Sequence, residues 1–263
     1  MSQQWDPARY LQYADQRGRP FVELLARVPV DRPDEVVDLG CGPGNLTALA
    51  AGRWPDARTT GIDSSAEMVE RARADFPALD FVVADLREWA GEGEPVDVLL
   101  SNATLQWVPG HLDLLRELLS RVRPGGCLAF QVPGNFTEPS HTLRQELALR
   151  PPYAEHLEGS AEPDAHDAAT YLRALQRLGC AVDAWESTYL HVLTGPDPVF
   201  DWVLGTSARP MLQRLPDDLV ERFADEFRTA LRAAYPDDGN GVVLPFRRVF
   251  VVAQKPASEE ESA

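Results

Sequence analysis

Residues 35–133 alternate short apolar runs with amphipathic stretches, and the first run, EVVDLG, ends in three closely spaced glycines, Gly40, Gly42 and Gly44. This combination constrains the fold more than any other feature. A strand that runs straight into a turn without β-carbons, then into a helix, is the opening unit of a doubly wound sheet. The rhythm continues. NLTALAAGRW puts Leu46, Leu49, Ala50 and Trp54 on one helical face, and ARTTGID reads as a second strand. Ser64 and Glu67 match a capping box that opens a helix through Met68, Val69 and Ala72. DFVVAD and VDVLLSN read as strands three and four. HLDLLRELLSRV reads as a helix stopped by Pro124-Gly125-Gly126, and CLAFQVP as strand five. Strands separated by helices of this length predict an α/β, Rossmann-like, doubly wound and mostly parallel sheet.

After Pro133 the rhythm breaks. Residues 134–165 are proline-rich and predict a loop-rich excursion with one helix around Leu143 to Leu149. Helix 167–178 and the strand CAVDAWESTYLHVL follow, then a mostly helical excursion over 196–240 and a closing strand, VVLPFRRVFVVAQK. The expected organisation is an N-terminal helical lid segment over 1–30, a catalytic domain over 31–255 with helical cap insertions at about 134–165 and 196–240, and a disordered acidic tail over 256–263. The two insertions and the N-terminal helix are expected to form a lid over one edge of the sheet.

Composition excludes several classes. The 263-residue chain carries a formal charge of −16, which repels nucleic acid, and no Lys/Arg stripe offsets it. No apolar run reaches the roughly 18 residues of a membrane span, and no basic-then-apolar leader opens the chain. Cys41, Cys127 and Cys180 are widely spaced, without histidines at ligand spacing, so they read as reduced thiols of a cytoplasmic protein and not as a metal site. Lys255 is the only lysine, an arginine bias that a GC-rich genome explains.

The glycine turn admits two cofactor classes. A dinucleotide fingerprint needs G-x-G-x-x-G, but the spacing here is G-x-G-x-G, and Asn45 stands at the third position. Asp38 lies two residues before Gly40, where a pyrophosphate would be repelled and a ligand with an ammonium and a sulfonium would be attracted. S-adenosylmethionine is therefore favoured. Successive strands close on acids or polar groups. Asp63, followed by Ser64, is placed for ribose hydroxyls, and Ala84-Asp85-Leu86 for an adenine amine. Asn102-Ala103 faces the reacting group. Cys41 inside the turn is expected to be a small filler, and both Cys41 and Met68, early in the following helix, are counted with the cofactor-binding residues. Helix caps and loop acids are the bland alternative for the three aspartates. The constellation resembles class I S-adenosylmethionine-dependent methyltransferases.

The likeness narrows further. WDPARYLQYADQRGRPFVELLARVP, VVDLGCGPGNLTALAAGRWPDARTTGIDSS, SNATLQWVPGH and PFRRVFVVA resemble the bacterial trans-aconitate 2-methyltransferases from about Trp5 to Gln254. One departure is Met211, where the resemblance leads one to expect an aromatic after Arg209-Pro210. Residues 150–165 also diverge. The resemblance implies S-adenosylmethionine as methyl donor and the monomethyl ester of trans-aconitate as product. Another small carboxylic acid or a natural-product intermediate is the alternative, and a non-catalytic cofactor-binding module or a nicotinamide enzyme the more distant ones. A carboxylic acid with a pKa of about 4.3 is already ionised, so no general base is required. A trianion in an acidic chain needs arginine forks. Arg209, Arg248, Arg247 and Arg17 are the candidates, with Arg19 beside Arg17. Tyr10, Trp107, His191, Tyr189 and Trp202 are candidate donors or walls. Arg247 and Arg248 are neighbours on a strand and point oppositely, so at most one faces a ligand. SNATLQW lacks the Asp/Asn-Pro-Pro-aromatic tetrad of nucleic-acid amino-methylases, and no catechol-type metal cluster is visible. A monomer or weak oligomer is expected.

Overall fold

Apolar runs buried on both faces predict central parallel strands, and five parallel strands, one of them an edge strand with only Phe81 buried, form the body of one seven-stranded sheet of order β3-β2-β1-β4-β5-β7-β6. The computed structural model describes residues 14–91, 93–159 and 162–257. β1 (Glu35–Leu39), β2 (Arg58–Asp63), β3 (Asp80–Val83), β4 (Val96–Asn102) and β5 (Val122–Pro133) are parallel. β7 (Val242–Gln254) runs antiparallel between β5 and the edge strand β6 (Ala181–Leu193). The strand order reverses between β1 and β4, which puts a crevice at their carboxyl ends.

Helices cover both faces. α1 (Ala14–Arg27) and α2 (Asn45–Arg53) lay Phe21, Leu24, Leu25, Leu46 and Ala50 on Val36, Val98, Leu100, Cys127 and Ala129. The opposite face takes α5 (His111–Ser120), whose Leu114, Leu115, Leu118 and Leu119 form the stripe expected of a 3.6-residue repeat, and α8 (Ala168–Gln176). Between them in the chain lie α3 (Ala66–Asp75) and α4 (Leu86–Gly91). Three boundaries differ from the sequence reading. The N-cap of α3 is Ser65, not Ser64, because the Ser65 hydroxyl accepts from Met68 N. α5 ends at Ser120, and Pro124-Gly125-Gly126 already belongs to β5. The first excursion holds two helices, α6 (Pro139–Ala148) and the short α7 (Ala154–Leu157).

A separate core holds the two excursions together. β6 and β7 stay paired from Ala181↔Gln254 to Leu193↔Val242, whereas β5 pairs β7 only as far as Arg248. The remaining two-stranded ribbon projects past the sheet. Leu193, Val242, Leu244 and Phe246 on it pack with Leu147, Tyr153 and Leu157 of the first excursion. They also pack with Phe200, Trp202 and Met211 from α9 (Pro198–Val203) and α10 (Arg209–Leu212), and with Phe223, Phe227 and Leu231 of α11 (Asp217–Ala234). Asp217 and Asp218 in the first turn of α11 and Arg232 in its last complement the helix dipole. α1 is tied to the same ribbon: the Tyr189 hydroxyl donates to Glu23 at 2.7 Å, and Arg19 lies over the Tyr189 ring.

Of the tail 256–263 only Pro256 and Ala257 are described. No helix among the described residues is long and apolar enough to cross a membrane. Phe227 is fully buried at the centre of the cap. Phe227→Ala is expected to cost about 3–5 kcal/mol, lowering the unfolding midpoint by roughly 6–20 °C in scanning calorimetry. A shift below about 2 °C would show that the cap core does not support the fold.

Candidate active site at the carboxyl ends of β1 and β4

The three glycines answer to three different surroundings. A β-carbon at Gly40 would sit 2.0 Å from Thr104 Oγ1, and one at Gly44 would sit 2.7 Å from Phe81 Cζ. A β-carbon at Gly42 would meet nothing within 4 Å. Gly40 and Gly44 thus pack the turn against the body, and Gly42 presents bare main chain to the crevice. All three have positive φ (74°, 55° and 82°), which a side chain would strain.

Asp63 fastens this turn. Its Oδ2 accepts from Gly42 N and its Oδ1 from Ser65 N, both at 2.9 Å. Gly40 N and Cys41 N donate to Ile62 O just before it. Each carboxylate oxygen retains a lone pair, so the half-buried Asp63 can still accept from a ligand. Burial raises its pKa, and the two backbone bonds oppose that shift. Asp38 lies underneath, 1% exposed, and takes the Thr47 hydroxyl at 2.7 Å, which pins α2 to β1. Burial pushes the Asp38 carboxyl up to about 6, with Thr47 opposing and Asp63 adding.

The other predicted cofactor residues divide. Cys41 turns its side chain down onto Val69, Ala72 and Phe81, so only its backbone belongs to the turn, and its thiol is held well above the ordinary range, chiefly by burial. Met68 is buried at the start of α3, and Ser64 is exposed. Ala84 N donates to Asp63 O, joining the ends of β2 and β3. Asp85 is exposed and its Oδ1 accepts from Arg87 N, so it serves at least as the cap of α4, next to the half-buried Leu86. Asn102 is 8% exposed, and its Oδ1 has no partner among the described residues. Ala103 beside it takes φ 54°, a strained angle for alanine, fixed by its N–H bond to Gln131 O.

The predicted anion contacts are redistributed. Arg248 is 7% exposed, donates to Gln131 Oε1 at 3.5 Å and lies over the Phe246 ring. Arg247 points the other way and pairs with Glu186 at 2.9 Å, so Arg248 is the inward member of the pair. Arg209 is half-buried where a π-turn (Leu204–Ala208) meets α10. The Tyr189 hydroxyl donates to Glu23. Trp202 is core, 1% exposed, with His191 tilted against it at 4.6 Å. Trp107 is half-buried in a 3-10 turn (Leu105–Trp107) after β4. Arg19 pairs with Glu23. Tyr10 lies outside the described residues, as does the side chain of Arg17.

Four inward polar residues escaped the sequence reading. Gln131 (1% exposed), Asn135 (1%), His141 (5%) and Arg144 (2%) lie on β5 and the segment after it. Arg144 is paired with Glu162, and burial lowers the pKa of both His141, to about 4, and Arg144. The one available signal was Gln131, a lone amide inside the apolar run CLAFQVP.

An open, mostly parallel sheet with a glycine turn, an acid at the end of β2 and a polar floor at β4 defines a Rossmann-like class I methyltransferase. Residues 36–126 match the family described as "Methyltransferase domain". The fold is shared with YcgJ protein from Bacillus subtilis, at TM-score 0.59 and 12% identity, covering 91% of this chain and 99% of that one. It is also shared with geranyl diphosphate C-methyltransferase from Streptomyces coelicolor, at TM-score 0.52 and 17% identity, covering 94% and 82%. In sequence the chain is 53% identical to the trans-aconitate 2-methyltransferase of Streptomyces avermitilis, over 96% of this chain and 97% of the relative. It is 52% identical to that of Streptomyces coelicolor, over 96% and 87%. The chain belongs to the trans-aconitate 2-methyltransferase family.

Two outcomes are expected for the turn. Asp63→Asn keeps the side-chain size but turns one of the two accepting oxygens into a donor, so it loses a backbone bond as well as the charge, and should weaken S-adenosylmethionine about 10- to 100-fold in calorimetric titration. Asp38 titrates near 6 when folded and near 3.8 when unfolded, so its ionisation costs stability as pH rises from 3.8 through 6. Thermal unfolding of Asp38→Asn between pH 4 and 7 should lack that part of the decline, and an unchanged slope would remove Asp38 as its source.

Proposed function

We propose that the crevice over Gly42 takes S-adenosylmethionine, and that the neighbouring floor of Asn102, Gln131 and Arg248 takes trans-aconitate, whose monomethyl ester is the product. Full-length likeness carries the substrate assignment: 53% identity across 96% of the chain includes the helical cap as well as the cofactor half. The donor fits the residues present, because Gly42 offers bare backbone, Asp63 retains acceptor capacity, and Asn45 Oδ1 and Asn102 Oδ1 are buried without partners among the described residues.

When bound, the cofactor supplies an electrophilic methyl group on a sulfonium, which leaves as a neutral thioether as the carboxylate oxygen takes the carbon. Asp63 and the turn orient the donor, and ionised Asp38 adds negative potential beneath it. Asn102 and the strained Ala103 form the edge on which the reacting carboxylate rests. Arg248, buried on the same sheet face, holds acid oxygens as an arginine fork can. No side chain has to remove a proton, because the acid arrives ionised. Positive and negative charge cancel as the new bond forms, so a dry pocket favours the transition state over the separated ions. The cap, and α1 through the Glu23–Tyr189 contact, are suited to exclude water. Alignment of this kind can supply roughly 7–11 kcal/mol.

The test is turnover of labelled donor with trans-aconitate, cis-aconitate, isocitrate and citrate, where trans-aconitate is expected to show the highest kcat/KM. Preference for an aromatic monocarboxylic acid would overturn the assignment. Arg248→Gln should raise KM for trans-aconitate about 30-fold or more, as loss of a buried charge partner implies.

A further inference from the structure

The chain leaving β5 carries buried polar groups that other described residues do not pair. Gln131 uses its Oε1 on Arg248, but its Nε2 has no partner among the described residues. The same holds there for both side-chain amide atoms of Asn135 and for Nδ1 of His141. Folded proteins pair nearly all buried polar groups, so three such residues within eleven positions call for an explanation. Packing alone would be served better by leucine at each. A ligand that completes them accounts for all three.

Their placement says which ligand. Gln131 is the register partner of Asn102, at the end of the strand that faces the reacting group, and it touches Arg248. The segment beyond β5 is pinned beside Arg248 by Gly134 N, which donates to Arg247 O at 2.9 Å. Asn135 follows, and its carbonyl accepts from Glu138 N just before α6. His141 stands edge-on to Phe136 at 5.1 Å, one turn before Arg144, whose guanidinium is held by Glu162. Gln131 and Arg248 thus lie at the reacting edge, and the segment that carries Asn135 and His141 leaves from beside them. Burial leaves His141 uncharged at neutral pH, a state in which one ring nitrogen donates.

A polycarboxylate makes two different demands. The carboxylate that attacks must keep its electron density, so strong donors are misplaced on it. The carboxylates that do not attack need donors, or they are desolvated without compensation. Neutral amides and an imidazole meet the second demand, because they donate hydrogen bonds without adding the acidic partners that further arginines would need when buried. Resting on the reading of the protein as a trans-aconitate methyltransferase, we propose that Gln131, Asn135 and His141, with Arg248, receive a non-reacting carboxylate of the acid and set the preference for polycarboxylic over simpler acids. They determine specificity and are not required for bond formation.

Binding and turnover test this separately. Tricarballylate (the saturated tricarboxylate) and butyrate (a chain with a single carboxyl, and so with no non-reacting one) are titrated calorimetrically into protein saturated with S-adenosylhomocysteine. The unaltered protein should bind tricarballylate about tenfold tighter or better. Asn135→Asp places a carboxylate among the donors and should weaken tricarballylate about tenfold or more while butyrate moves less than about threefold. A new buried charge can unfold a protein, so Asn135→Leu and His141→Phe, which only delete donors, are run alongside. Unchanged S-adenosylhomocysteine affinity certifies each variant's fold. In turnover, KM for trans-aconitate should rise with kcat nearly constant, and KM for crotonate, which has a single carboxyl and so no non-reacting one, should hardly move. Equal losses for both acids, or none for either, would refute the proposal. If tricarballylate binds as expected but trans-aconitate is not methylated, the proposed reaction fails and the anion site stands. If trans-aconitate is methylated and the variants leave the ratio of the two acids untouched, the reaction stands and this assignment falls.

Discussion

A single carboxylate underlies the architecture of the site. Asp63 ends β2 and bonds two backbone amides, one in the glycine turn and one at the entry to α3. It couples three consecutive units of the chain at the point where strand order reverses. The turn cannot close without an acceptor there, because Gly42 N faces away from the ladder bonds of the sheet. The same group retains acceptor capacity, so structural and ligand roles need not compete. Its position is dictated by topology: only parallel pairing of β1 with β2 brings residue 63 alongside residue 42.

The cap depends on a second device, the length mismatch at the far edge of the sheet. β6 and β7 outrun β5, and the projecting ribbon would expose Leu193, Val242, Leu244 and Phe246 if nothing covered it. Segments separated by some fifty residues in sequence converge on it because each has an apolar helical face to bury. The cap thus has its own core yet shares its strands with the sheet, so its position is set by paired strands and not by loop alone.

The electrostatics follow from this geometry. A chain of charge −16 is an unpromising receptor for an anionic acid, and surface potential does not help. What matters is local: charges beyond roughly 8 Å are screened, whereas Arg248 and Arg144, nearly buried, are not. The large acidic excess is carried mostly by exposed carboxylates, some of them paired with exposed arginines as in Arg58–Asp80 and Arg71–Asp75, and such pairs contribute little.

How much of this was legible in advance differs from residue to residue. The strand rhythm, the glycine turn and the acids at the ends of β1 and β2 could be read from spacing, because hydrophobic period and backbone freedom are properties of a local stretch. The cap of α3 was misplaced by one residue, since Ser64 and Ser65 are chemically equivalent and only the local turn chooses between them. The opposite facing of Arg247 and Arg248 followed from strand alternation alone. By contrast, Asn135, His141 and Arg144 carried no signal, because a polar residue in a loop or on a helix is ordinary until burial is known. The bond between Tyr189 and Glu23 joins residues 166 positions apart, and neither stretch announces it. Sequence by itself determined which elements form and where main chain must be bare. Tertiary structure decided which polar groups are shut away from water, because burial is a property of the packed whole.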